Sequence, residues 1–193
     1  MSLINSIKEP GDLLKKLIRD GNSINFEDEP DRLSDLVFNF SVTCHSLRDW
    51  CIKYQGKESI QDLLHTAWNQ EKSLQAAKDI ANSTKHFGIS RYKPTVNSAD
   101  ESVGKTLEFR SNQNIAEAIE RAKTDQEYRA SLENEAPSYQ ITFVNGDVLA
   151  LWEFIFQAIR CWLSYFDTNG IPRDAKLSTS MIYIDQSQWG QLV

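Results

Sequence analysis

Residues 147–166 read DVLALWEFIFQAIRCWLSYF, and this stretch decides how the chain folds. At 100° per residue of an α-helix, four polar residues fall in one narrow strip: Glu153, Gln157, Arg160 and Ser164. Apolar side chains cover the rest of the circumference. Because an ordinary surface helix has an apolar stripe on one side only, we expect this helix to be buried centrally.

The apolar arc of this predicted helix carries two tryptophans, Trp152 and Trp162. Large aromatic side chains anchor both protein cores and protein interfaces. The arc is wider than one contact within the chain needs, so we expect a homo-oligomer that assembles through the Trp152/Trp162 helix. The same pattern is also compatible with binding to a cognate protein partner. We expect no membrane span, because Glu153 and Arg160 would place charges in its middle.

Hydrophobic periodicity along the rest of the chain predicts an α+β fold that is predominantly helical. Apolar residues at helical spacing predict an antiparallel helical bundle with short loops, made of helices over 12–20, 31–54, 59–68 and 71–87. The second half predicts strands over 105–111 and 138–144, a third candidate strand over 180–185, and a charged helix over 113–133. The bundle should therefore carry a small two- or three-stranded antiparallel sheet.

Local signals place the ends of these elements. We expect Gly21 to end the first helix, Gly88 to end the last helix of the bundle, and Asp147 to cap the long apolar helix. Residues 91–105 are polar and contain Pro and Gly, which predicts a loop. A length of 193 residues suits a single domain over 1–193, with a helical bundle half over 1–90 and a strand-helix-strand-long apolar helix half over 105–193.

Composition excludes some classes of protein. The net charge is −6, and Lys and Arg form no stripe, so we expect no binding to duplex DNA. The start of the chain, MSLINSIKEPGDLL, lacks the pattern of a signal peptide. Three cysteines are too few for a disulfide framework, and we expect reduced structural thiols in a cytoplasmic protein.

Polar residues that could carry chemistry lie on two predicted helices. The segment HSLRDW holds His45, Arg48 and Asp49, and the segment DIANSTKHF holds Asp79 and His86. If the two helices pack with these residues facing each other, two histidines and two carboxylates come close together. Such a set suits acid–base catalysis near neutral pH, or a divalent metal held by His45, Asp49, Asp79 and His86. In the competing interpretation, the residues of the second helix form a plain solvent-facing stripe.

Residues 31–90 resemble the HEPN superfamily, whose members are small helical-bundle proteins that often act as ribonucleases in toxin–antitoxin and phage-defence systems. Those enzymes carry an arginine, four to six residues, and then a histidine. The matching place here reads Asn82-Ser83-Thr84-Lys85-His86, with asparagine in place of arginine and three residues between. HSLRDW and NSTKHF also look like segments of small uncharacterised bacterial and phage-associated proteins, a likeness that implies no activity.

The resemblance implies a metal-independent RNase, with RNA as substrate. His86 would be the acid–base group, Asn82 and Lys85 would position phosphate, and Arg48 would stabilise charge in the transition state. No Gly-rich phosphate loop, HExxH, GxSxG or paired CxxC motif occurs in the sequence, and we expect no cofactor. The first hypothesis remains a cytoplasmic protein that works by association. The RNase and a metal-dependent hydrolase are the alternatives.

Overall fold

Helices make up most of the structure, and strands occur in the second half of the chain. The computed structural model describes residues 6–25, 27–86, 88–107 and 115–177. The elements in chain order are α1 (Pro10–Asn25), α2 (Pro30–Gln55), a 3₁₀ turn (Glu58–Ile60), α3 (Gln61–Trp68), α4 (Lys72–Lys85), β1 (Val96–Leu107), α5 (Ile115–Thr124), α6 (Gln126–Ala130), β2 (Glu133–Phe143), β3 (Val148–Ala150) and α7 (Leu151–Asn169). The predicted α+β, predominantly helical fold is confirmed.

The long helix α2 organises the bundle. Pro30 stands in its first turn, where a proline costs no hydrogen bond, and Gly56 ends it with a positive φ of 63°. Its apolar residues fall on the buried face as the spacing predicted. These buried residues are Leu33, Val37, Phe40, Cys44, Leu47 and Cys51. Helices α1 and α4 pack against α2 and cover this face.

Helix α7 lies in the core, as its apolar circumference predicted. It contacts α1, α4 and both β2 and β3. Trp162 is completely buried, packs against Trp68 with ring centroids 5.4 Å apart, and donates its indole N–H to Cys44 Sγ at 3.3 Å. Arg160 is exposed, so the predicted polar strip does reach the surface. No helix among the described residues is long and apolar enough to cross a membrane.

The sheet has the order β1-β2-β3, with both neighbouring pairs antiparallel. Alternate residues of β2 turn towards the helices, and Tyr139, Ile141 and Phe143 are buried there. Ala99 pairs with Ile141 in the register of β1. One face of the sheet thus packs against the helices and covers one side of the core.

Two predicted boundaries around the sheet are wrong. Residues 96–105 are part of β1 rather than a loop, because their backbone pairs with β2 and this pairing outweighs their polar composition. Helix α7 begins at Leu151, so Asp147 does not cap it. Gly146, with a φ of 87°, turns the chain back after β2 and draws residues 148–150 into the sheet as β3.

Two predicted helix boundaries are also wrong. The charged helix over 113–133 is two helices, because Asp125 accepts the backbone N–H of Tyr128 and caps a new helix, α6. Gly21 lies inside α1 rather than at its end. A Cβ on Gly21 would stand 2.9 Å from Ile155 Cγ2, so this glycine allows α1 to approach α7 closely. The candidate strand over 180–185 lies outside the described residues, as do residues 108–111 of the first predicted strand.

Candidate functional site

Arg48 is a buried cation on α2, with only 1% of its surface exposed. Its Nη1 donates to Asn69 Oδ1 at 2.8 Å, and its Nη2 donates to the carbonyl oxygen of Leu74 at 2.9 Å. The guanidinium carbon lies 5.8 Å from the centre of the Trp68 ring. Burial lowers the pKa of Arg48 from its ordinary value. The side chain therefore joins α2 to Asn69, which follows α3, and to Leu74 in the first turn of α4, and two of its donors are already used.

Asp79 of α4 is buried, with 2% of its surface exposed. One carboxylate oxygen accepts the backbone N–H of Thr95 at 2.7 Å, the Thr95 hydroxyl at 2.9 Å and the backbone N–H of Val96 at 3.1 Å. The other oxygen accepts the Tyr92 hydroxyl at 2.9 Å. Asp79 is thus not part of a solvent-facing stripe. It fixes the start of β1 on α4, and its oxygens are occupied by these donors.

Tyr92 extends the network from Asp79 to the next turn of α4. Asn82 Nδ2 donates to the Tyr92 hydroxyl at 3.1 Å, and Lys78 Nζ lies 4.3 Å from the centre of the Tyr92 ring. Burial raises the pKa of Tyr92 to about 12. Asn82, which the HEPN resemblance assigns to phosphate positioning, therefore holds a tyrosine in this structure.

His45 is half-buried on α2, and its Nδ1 atom is enclosed without a hydrogen-bond partner among the described residues. Burial and, to a smaller extent, the positive charges of Arg48 and Lys85 together lower the pKa of His45 to about 4. The imidazole is consequently neutral at pH 7. Asp49, its predicted companion on the same helix, is exposed.

The four residues of the RNase hypothesis do not form one site. Lys85 and His86 are exposed at the carboxyl end of α4, and Asn82 is one turn before them. Arg48 binds the carbonyl oxygen of Leu74 near the other end of α4. Leu74 and His86 are 12 residues apart, which corresponds to about 18 Å along a helix at 1.5 Å per residue. Asn82, Lys85 and His86 therefore lie at the carboxyl end of α4, whereas Arg48 makes its hydrogen bonds near the amino end of that helix.

The predicted metal ligands do not converge either. Asp79 is buried under β1, whereas Asp49 and His86 are exposed on their helices. Within the described ranges, no three His, Cys, Asp or Glu side chains stand close enough to hold a metal ion.

The chain matches no family model. Searches of curated proteins and of solved structures find no match either. The resemblance of residues 31–90 to the HEPN superfamily is therefore still an expectation based on residues of this chain alone.

A concave groove lies between the sheet and α2. Its volume is about 390 Å³, within the range of ligand-binding clefts. Residues 101–103 of β1, residues 135–139 of β2, and Pro30 and Leu33 of α2 line it.

The groove lies where burial of the sheet ends along β2: residues 139, 141 and 143 are buried, whereas residues 133–138 are not. The ring of Tyr139 is buried at the inner end, where its hydroxyl shares a hydrogen bond with the Ser34 hydroxyl. Two residues further along the same face, Pro137 pairs with Val103, and Val103 is 69% exposed. The sheet face that carries Tyr139 into the core therefore continues as an open apolar wall.

Acidic side chains border this wall. Glu101 and Glu135 line the groove and are exposed, and no Lys or Arg occurs among the described residues that line it. The amino-acid sequence does not indicate this site, because the polar composition of residues 91–105 predicts a loop. Val103 gains a defined face only through its pairing with Pro137, which lies 34 positions away.

Proposed function

We propose that this protein works by binding another protein and that the groove between α2 and the β1–β2 strand pair is the contact surface. The observation that carries the proposal is the exposure of Val103 on an apolar wall that continues the core. Exposed apolar surface inside a concave site, with a polar rim, is typical of interaction sites.

This proposal keeps association as the function but moves its location away from α7. Trp162 is completely covered by its own chain, so it has no surface to offer a partner. Trp152 is only half-buried. A homo-oligomer through α7 is the alternative form of the proposal, and Trp152 would then be the tryptophan in the interface.

Panning a random peptide display library against the full chain tests the proposal. We expect enriched peptides whose affinity falls about tenfold with Val103→Asn, which corresponds to loss of about 1.4 kcal/mol of binding free energy. Val148→Asn is the matched control, because Val148 is a 53% exposed strand valine on β3, outside the groove. Equal affinity of the peptides for both variants would overturn the proposal.

The cytoplasm is the compartment that we propose for this activity. Cys44, Cys51 and Cys161 are all free thiols, and Cys44 and Cys51 are buried. Unpaired cysteines are typical of proteins from reducing compartments.

The RNase hypothesis has a direct test of its own. If the chain is a metal-independent RNase that uses His86, His86→Ala abolishes RNA cleavage by the purified protein and leaves its fold unchanged. Cleavage at the rate of the unaltered chain would exclude His86 as the acid–base group. Metal analysis of the purified protein tests the hydrolase hypothesis: the absence of a stoichiometric divalent metal would exclude it.

A further inference from the structure

We propose that the groove recognises a short segment of a partner protein in which one or two apolar residues stand between lysines or arginines. This inference rests on the proposed function and specifies the chemistry of the partner. It follows from the shape of the apolar wall and from the charge around it.

The apolar wall determines the centre of the segment. Val103 and Pro137 lie side by side across the strand pair, and Leu33 closes the opposite side from α2. The space between these walls is about 390 Å³, so it accepts a small number of side chains rather than a whole helix. Burial of apolar surface from both partners supplies the favourable free energy.

The charge around the wall determines the flanking residues. Glu101 and Glu135 stand on the sheet side of the groove, where Lys105 pairs with Glu135 in the strand register. On the helix side, Glu29, Asp31 and Arg32 flank Pro30 and Leu33, so four carboxylates and two basic residues lie around the wall. All four carboxylates are exposed, and the whole chain carries a net charge of −6. An acidic partner segment would bring like charges together, whereas a basic segment complements this rim and associates faster.

A panel of labelled peptides, titrated with the full chain by fluorescence anisotropy, tests the inference. The first peptide has Leu-Val between pairs of lysines, the second replaces the lysines with glutamates, and the third replaces Leu-Val with Ser-Ser. A fourth peptide has the sequence of residues 178–193 of this chain. The protein variants are Val103→Asn, Val148→Asn, and Glu101→Gln combined with Glu135→Gln.

We expect the first peptide to bind at least about tenfold more tightly than the second, because rim charges set the discrimination between partners. The double glutamine variant should reduce this preference several-fold and weaken its dependence on salt. The Ser-Ser peptide should bind more weakly than the first, and Val103→Asn should weaken the first peptide while Val148→Asn does not.

The outcomes separate this inference from the proposed function. If both charge forms bind equally and both are weakened by Val103→Asn, the basic segment is wrong and the groove is still a protein-binding site. If Val103→Asn changes no peptide's affinity, the proposed function itself fails. The inference is also overturned if the peptide of residues 178–193 outcompetes the basic peptide, or if the chain forms a dimer that Val103→Asn dissociates. The groove then belongs to the chain itself or to a second copy.

Discussion

The carboxylate of Asp79 accepts both the backbone N–H and the hydroxyl of Thr95, at 2.7 and 2.9 Å. This contact joins α4 to the residue that precedes β1, and the same oxygen also accepts the backbone N–H of Val96. The first strand of the sheet therefore starts from a buried side chain of the helical bundle. Since β1 forms one wall of the groove, Asp79 supports the proposed binding surface from a distance.

We expect Asp79→Asn to lower the free energy of unfolding by about 2–3 kcal/mol, because buried N–H donors lose a charged acceptor. Urea denaturation of the full chain measures this change. Asp100→Asn is the matched control, since Asp100 is exposed on β1 and accepts a hydrogen bond from the Ser98 hydroxyl. An equal, small effect of both substitutions would contradict the anchoring role.

Arg48 should behave as a structural cation. Arg48→Met keeps the aliphatic stem but leaves the acceptors on Asn69 and Leu74 without their donors, so we expect a loss of about 1–3 kcal/mol of stability. Arg160→Met removes the same charge from an exposed position of α7 and should change stability by less than about 0.5 kcal/mol. Thermal or urea unfolding distinguishes the two. No loss of stability with Arg48→Met would show that the buried hydrogen bonds contribute little.

The depressed pKa of His45 predicts a loss of stability in weak acid. The pKa of the folded imidazole is about 4, below its ordinary value of 6.5, so only the unfolded chain takes up this proton between these pH values. The contribution of His45 to the free energy of unfolding is therefore fully present above pH 6.5, and it is lost as the pH decreases towards 4. We expect His45→Gln to remove about 1–2 kcal/mol of the stability difference between pH 7 and pH 5.

Unfolding curves across this pH range measure the effect of His45. His86→Gln is the matched control, because it makes the same substitution at a histidine that is exposed at the end of α4. A pH profile of His45→Gln that superimposes on that of the unaltered chain would show that the folded and unfolded states bind this proton equally.

The two tryptophans of α7 should differ in what they stabilise. Trp162→Ala removes a fully buried ring that packs on Trp68, so we expect a loss of about 3–5 kcal/mol. Trp152→Ala removes a half-buried ring and should cost markedly less. Sedimentation velocity of Trp152→Ala tests association through α7 separately: a fall in mass relative to the unaltered chain would favour α7 over the groove as the interface.

Local pattern predicted the elements whose structure depends on their own residues. The apolar spacing of α2 and α7 identified their buried faces, because the helical period places residues three and four apart on one side. Residues 96–105 behave differently, because their polar composition predicts a loop although they form part of β1. Their strand structure comes from hydrogen bonds to β2, and no local signal in 96–105 encodes the position of that partner.

For the polar residues too, the sequence identified the residues but not their partners. Sequence alone identified His45, Arg48, Asp79 and Asn82 as notable polar residues on two helices. It could not show that Arg48 would bind the segment between α3 and α4, or that Asp79 would bind the start of β1. Both pairings use backbone or amide groups, which nearly every residue offers and which therefore leave no distinctive mark in a sequence.

The sequence by itself thus determined that the chain forms amphipathic helices around a central apolar helix, because helical periodicity is a property of near neighbours. The tertiary structure alone decided the groove. Val103, Pro137 and Leu33 come from three elements, and an open apolar wall arises only where two paired strands extend past the helix that covers them. How far the strands extend past the helix depends on how the sheet packs against the helices. No single segment of the chain determines this packing.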